Sequence, residues 1–249
     1  MTTNTNGGGH SNSETGHAKN VAQFQKIITK CELLADFNPP NPLIYMVELK
    51  KFYISANEII RLVHEAKGGA DVFINERQIE FQKLDSVSTR TINILAVIAN
   101  EPKIVADART IVRRIRGEAS KPKTDENQPG QETNTPRSNS QQSYDKLIDH
   151  FVALIELVKQ VNGYEPNEED LTIAGLEVYL ADLVMRNKNV IQANAELAKT
   201  RKERDKKLYH AVEGLVNRAK LVKLYVKSLY GSSSTEYKQI NAIKFRTLQ

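Results

Sequence analysis

The chain has 249 residues, 35 Lys and Arg against 30 Asp and Glu, a net charge of +5 and 40% apolar content. With only 12 Gly, 8 Pro and a single Cys, it is neither collagen-like, nor wholly disordered, nor built on a disulfide framework. The composition fits one or two soluble domains with real cores.

Residues 1–18 are almost free of apolar side chains and read as a disordered tail, because they cannot offset the entropy of ordering. His10 and His17 fall in that tail, without a scaffold that would make them metal ligands. The segment has no basic and apolar leader pattern. The strongest apolar run, Ile92 to Ala99, is far shorter than the roughly 20 residues that span a bilayer. The expectation is a soluble cytoplasmic protein.

From residue 19 onward Val21, Phe24, Ile28, Cys31 and Ala35 recur at helical spacing. Cys31 sits on this stripe and reads as a small buried hydrophobe. A turn rich in Asn and Pro follows, Asp36 to Pro42. Next comes a long helical pattern with the seam Tyr45, Leu49, Phe52, Ala56, Ile59, Val63, Ala66, Ala70 and Phe73, which alternates steps of four and three. Gly68 and Gly69 fall inside it at a cost of about 1 kcal/mol each relative to Ala. The heptad phase carries across them, so one bent helix is expected. The rival is a break followed by a β-like stretch, Val72 to Ile74. The pattern runs on through Arg77 to Leu84. A basic amphipathic helix, Ile104 to Arg116, closes the half at Gly117, and Pro102 breaks the helical run before it.

Residues 118–143 contain three Pro, and Ala119 is their one aliphatic residue, which reads as a flexible linker. Beyond it the scheme repeats. Leu147, Phe151, Leu154, Val158 and Val161 form a short amphipathic helix. Gly163 is suited to a left-handed cap. A second seam follows: Leu176, Leu180, Leu183, Asn187, Val190, Asn194 and Leu197. It runs on through Arg201 and Arg204 to Leu208, and a basic helix ends at Tyr230-Gly231. Glu168, Glu169 and Asp170 read as negative charge in the first turn of the second long helix. Asn187 and Asn194 read as a buried pair that fixes register. Tyr237, Ile240, Ile243 and Phe245 read as a tail that packs back on the second bundle.

The pattern therefore predicts an all-α protein: two tandem antiparallel helical bundles, a duplicated unit spanning 19–117 and 144–249, joined by a disordered linker. No phosphate loop, His-Glu-x-x-His, Cys-x-x-Cys or nucleophile elbow occurs, and His64, His150 and His210 are isolated. No enzyme activity, cofactor or metal is expected, and no small-molecule substrate is evident.

Charge is the most informative surface feature. Between Lys199 and Gly231 ten Lys and Arg face only Glu203, Asp205 and Glu213. The candidate macromolecule-binding residues are Arg218, Lys220, Lys223 and Lys227 in the second half and Arg109, Arg113, Arg114 and Arg116 in the first. Tyr225 and Tyr230, interleaved with them, read as caps on the core. The expected function is non-enzymatic binding of another macromolecule, with a protein partner or self-association first. The alternatives are sequence-independent nucleic-acid binding through the basic helices and association with membranes.

Overall fold

The computed structural model describes residues 14–99, 101–118 and 142–247, and among them it contains helices and no strand. In chain order these are α1 (Glu14–Glu32), a 3-10 turn (Pro42–Ile44), α2 (Met46–Gln82), α3 (Leu84–Ile98) and α4 (Pro102–Arg116). After residues 119–141 come α5 (Tyr144–Lys159), a 3-10 turn (Glu169–Leu171), α6 (Ile173–Tyr209), α7 (Leu215–Tyr230) and α8 (Thr235–Asn241). The all-α expectation holds. Most of the expected N-terminal tail and linker lies outside the described residues, as does His10. Where the tail is described it is helical, because α1 begins at Glu14 rather than after residue 18. Its early start is secured by His17 and Asn20, both buried.

Local chemistry sets the boundaries. The Asn41 side chain accepts from the Leu43 amide at 2.9 Å, and Pro42 opens the first 3-10 turn. Gly117 closes α4 at φ +75°, with the Glu118 amide on the Arg113 carbonyl at 2.9 Å. Gly163 turns the chain after α5 at φ +79°. α2 is continuous through Gly68, Gly69 and Val72 to Ile74, so the β-like rival does not occur. Its buried seam overrides two weak helix formers.

The duplication is visible residue by residue. One constant step along the chain relates Phe24 to Phe151, Ile44 to Leu171, Leu49 to Leu176, Ala56 to Leu183, Val63 to Val190, Ala70 to Leu197 and Leu95 to Val222, and every one of these residues is buried. The same step relates Phe52 to Tyr179. Phe24 meets Phe52 edge to face at 6.2 Å, and Phe151 meets Tyr179 in the same way at 5.5 Å. It also relates Arg77 to Arg204.

The compact units do not coincide with the two expected segments. Unit 1 combines the described residues up to Gly69 with those from Asn194 onward, and unit 2 comprises Ala70–Ala193. The cause is helix length. α2 and α6 have 37 residues each, or about 55 Å, far longer than the 15- to 19-residue helices that cover them. Each long helix therefore lends its two ends to different cores. Unit 1 is built around Phe24, Ile27, Leu49, Leu208, Leu215, Val222 and Val226. Unit 2 is built around Leu84, Leu95, Phe151, Leu154, Ile155, Leu176 and Leu183.

Candidate polyanion-binding groove

The C-terminal residues of unit 1 explain where its surface charge lies. Ile240 and Ile243 are buried in the unit 1 core, and Tyr237 and Phe245 pack against it. Beyond α8 burial alternates: Ile243 in, Lys244 out, Phe245 half-buried, Arg246 out. Polar side chains hold this segment. The Asn20 carboxamide brackets Arg246, Nδ2 donating to its carbonyl and Oδ1 accepting from its amide, both at 2.9 Å. Lys223 Nζ donates to the carbonyls of Asn241 and Ile243. Burial, together with the Lys244 charge, lowers the Lys223 pKa.

The segment lies along α1. Gly16 faces it, and a methyl group there would come within 2.6 Å of the Arg246 guanidinium, the movable end of that side chain. Lys19, Gln23, Lys26 and Lys30 follow at steps of four, three and four, which puts them on one stripe of α1. Between the stripe and the segment is an open concavity of about 640 Å³, lined by Gly16, Lys19, Asn20, Gln23, Lys26 and the stretch Ala242 to Arg246. Among the described residues its cations are Lys19, Lys26, Lys244 and Arg246, and no carboxylate lines it. Among the described residues none of these four has an ion-pair partner.

Beneath the groove is a polar network. Glu14 pairs with Arg204, which is 2% exposed, and with Arg201 at 3.1 Å. Burial works to raise the Glu14 pKa, but the bonds and charges of Arg204 and Arg201 outweigh it and hold it low. His17 Nδ1 lies 2.8 Å from the Tyr209 hydroxyl, which also accepts from Asn20 Nδ2 at 3.2 Å. Burial and then the Arg204 charge lower the His17 pKa.

The residues expected to bind divide into two sets. Arg218 is not available: it is buried, its Nη1 donates to the Leu43 carbonyl and its Nε to the Glu213 carbonyl at 2.9 Å, and its guanidinium lies 4.2 Å from the Phe52 centroid. Lys223 is likewise engaged by the C-terminal segment. Both are corrections, and their cause is the same, a carbonyl cluster at a chain turn that needed donors. Lys220 and Lys227 are exposed on α7. In unit 2, Arg109, Arg113 and Arg116 line a smaller concavity of about 310 Å³ with Thr89, Asn93 and Glu118. Arg116 is engaged there by Asp85 at 2.6 Å and Thr89 at 2.7 Å. Arg114 is exposed, and its carbonyl accepts from Gln142.

Other sequence readings also meet the coordinates. Cys31 is buried, and burial followed by the Glu32 charge pushes its pKa up to about 12. Asn187 is buried and joins Arg77 to Asp145, with both bonds at 2.8 Å, but Asn194 is exposed and does not pair with it. Glu169 and Asp170 belong to the 3-10 turn before α6, not to its first turn, and Asp170 pairs with Arg90. Tyr225 meets Phe37 edge to face at 5.4 Å. Among the described residues no group of His, Cys, Asp and Glu could hold a metal ion, and no helix is long and apolar enough to cross a membrane.

Sequence reasoning missed Lys19, Lys26, Lys244 and Arg246. The signal was present as a polar stripe beside the α1 seam and as alternation at the C-terminus, but nothing in either segment says that the other lies against it. Comparison with protein-family models, with curated proteins and with solved structures found no match.

Proposed function

We propose that the protein acts by binding rather than by catalysis, and that its partner is an anionic macromolecule held in the groove of unit 1. The observation that carries this is the convergence of Lys19, Lys26, Lys244 and Arg246 on one concavity that, among the described residues, no carboxylate lines. Four cations along one concavity offer a polyanion several contacts at once, and binding releases its condensed counterions. The polar network beneath is consistent with a structural role: His17, Tyr209, Asn20, Arg204 and Glu14 satisfy one another and fix the backbone that presents the cations.

Titration with fluorescein-labelled heparin between about 50 and 200 mM KCl tests the reading. Binding should weaken steeply with salt. Replacing Lys19, Lys26, Lys244 and Arg246 together by Gln should abolish it without changing the helical circular dichroism. Absence of binding at the lowest salt, or unchanged binding by the fourfold variant, would refute the proposal.

A further inference from the structure

We infer that the polyanion is a single-stranded nucleic acid, with its phosphates on the four cations and a base stacked on Phe245. The inference rests on the binding reading above and deepens it. Lys244, Phe245 and Arg246 are consecutive, and all three line the concavity. An aromatic ring between two cations is the pairing that single-strand sites use: charge tracks the backbone, and the ring takes a base face whatever its sequence. Lys223 Nζ lies 5.5 Å from the Phe245 centroid, and the ring is half-buried against the unit 1 core while it also lines the groove.

Spacing agrees. Lys244 and Arg246 are two residues apart, at most about 7 Å between α-carbons. Lys19 and Lys26 are seven apart on α1, about 10 Å. Both intervals suit successive or alternate phosphates of an extended strand. A duplex hides its base faces in the stack and offers phosphates, sugars and base edges but no face for the Phe245 ring. Gln23, which lines the groove beside the cations, can hydrogen-bond a base edge or sugar without selecting a sequence.

The test uses the full chain and three labelled probes: a thymidine oligonucleotide of about 16 nucleotides, its abasic counterpart with the same phosphates, and a duplex of equal length. The native protein should bind the thymidine strand about tenfold tighter than the abasic one, and tighter than the duplex. Phe245→Leu, which keeps the apolar packing, should bring thymidine affinity down to the abasic level and leave abasic binding unchanged. Phe245→Trp should restore the difference. The log–log salt slope of the native protein should be about −3 for four single-strand contacts. Equal affinity of the native protein for thymidine and abasic strands, or preference for the duplex, would overturn the inference while leaving polyanion binding intact. Failure to bind any probe, heparin included, would instead remove the underlying reading.

Discussion

Units 1 and 2 are assembled from matching parts, yet they treat the equivalent arginines Arg204 and Arg77 in opposite ways. In unit 1, Arg204 near the end of α6 meets the first residue of α1, Glu14, and is 2% exposed. In unit 2, the equivalent Arg77 near the end of α2 meets the first residue of α5, Tyr144, with its guanidinium 3.7 Å from the ring centroid, and donates to Asn187. One position carries a charge pair and the other a stacked, amide-bonded cation. The duplicated scaffold thus fixes where an arginine enters and which element it reaches, but not the chemistry of the contact. Unit 1 uses this freedom to build the network under the groove.

The comparison can be broken first at its cores. Phe24→Ala and Phe151→Ala remove equivalent rings and should each cost about 3–5 kcal/mol. Native-state hydrogen exchange should show the loss concentrated in unit 1 for the first and in unit 2 for the second. Uniform loss in both cases would deny that the units are separate cores.

The arginines sharpen the contrast. Arg204→Met leaves the Glu14 carboxylate with Arg201 as its remaining cationic partner and should cost about 2 kcal/mol in chemical denaturation. Arg77→Met leaves Asn187 bonded to Asp145 and should cost about 1 kcal/mol. Equal costs would mean that the charge pair adds nothing.

Next is the effect of the Asn20 bracket in unit 1. Asn20→Ala leaves the Arg246 amide and carbonyl without their partner and should cost about 2 kcal/mol. It should also speed amide exchange across residues 243–247 and weaken heparin binding. Intact protection there would show that Asn20 does not hold the segment.

Smallest is a pH effect that His17 contributes in unit 1 and His150 in unit 2, since burial lowers the pKa of both. His17 faces Glu14 on α1, Arg204, Asp205 and Tyr209 on α6, and Arg246 on the C-terminal segment. Its folded pKa lies below the usual 6.5, so the unfolded chain takes the proton first. Its contribution to stability is therefore fully present above 6.5 and declines as pH falls from there through its own lowered value. Glu14, held below 4.5, adds a second decline at more acid pH. In thermal melts His17→Gln should reduce the first decline to the part that His150 contributes and leave the second. An unchanged first decline would assign it to another group.

Much of this architecture was legible in the sequence. The steps of four and three through Leu49, Ala56, Val63 and Ala70, and again through Leu176, Leu183, Val190 and Leu197, mark the buried edge of each long helix, and their repetition marks the duplication. Periodicity tells which face is covered but not what covers it. The assignment of helix ends to units was therefore hidden, because the seam of α2 looks the same whether its cover comes from its own half or the other. The site was less legible for a related reason. Lys220 and Lys223 look alike along α7, and only the nearby carbonyls of Asn241 and Ile243 turn one of them inward. Lys19 and Arg246 are distant in the chain, and the Asn20 bracket that joins their segments is a single uncharged side chain with no motif around it.

The most direct measurement sets the two basic surfaces against each other. The affinity of the single-stranded oligonucleotide should be measured by fluorescence anisotropy for two charge-removed proteins, one with Lys19, Lys26, Lys244 and Arg246 changed to Gln, the other with Arg109, Arg113 and Arg114 changed to Gln. Binding should be lost in the first and retained within a few-fold in the second, because the unit 1 groove holds the strand. Retention in the first with loss in the second would contradict it.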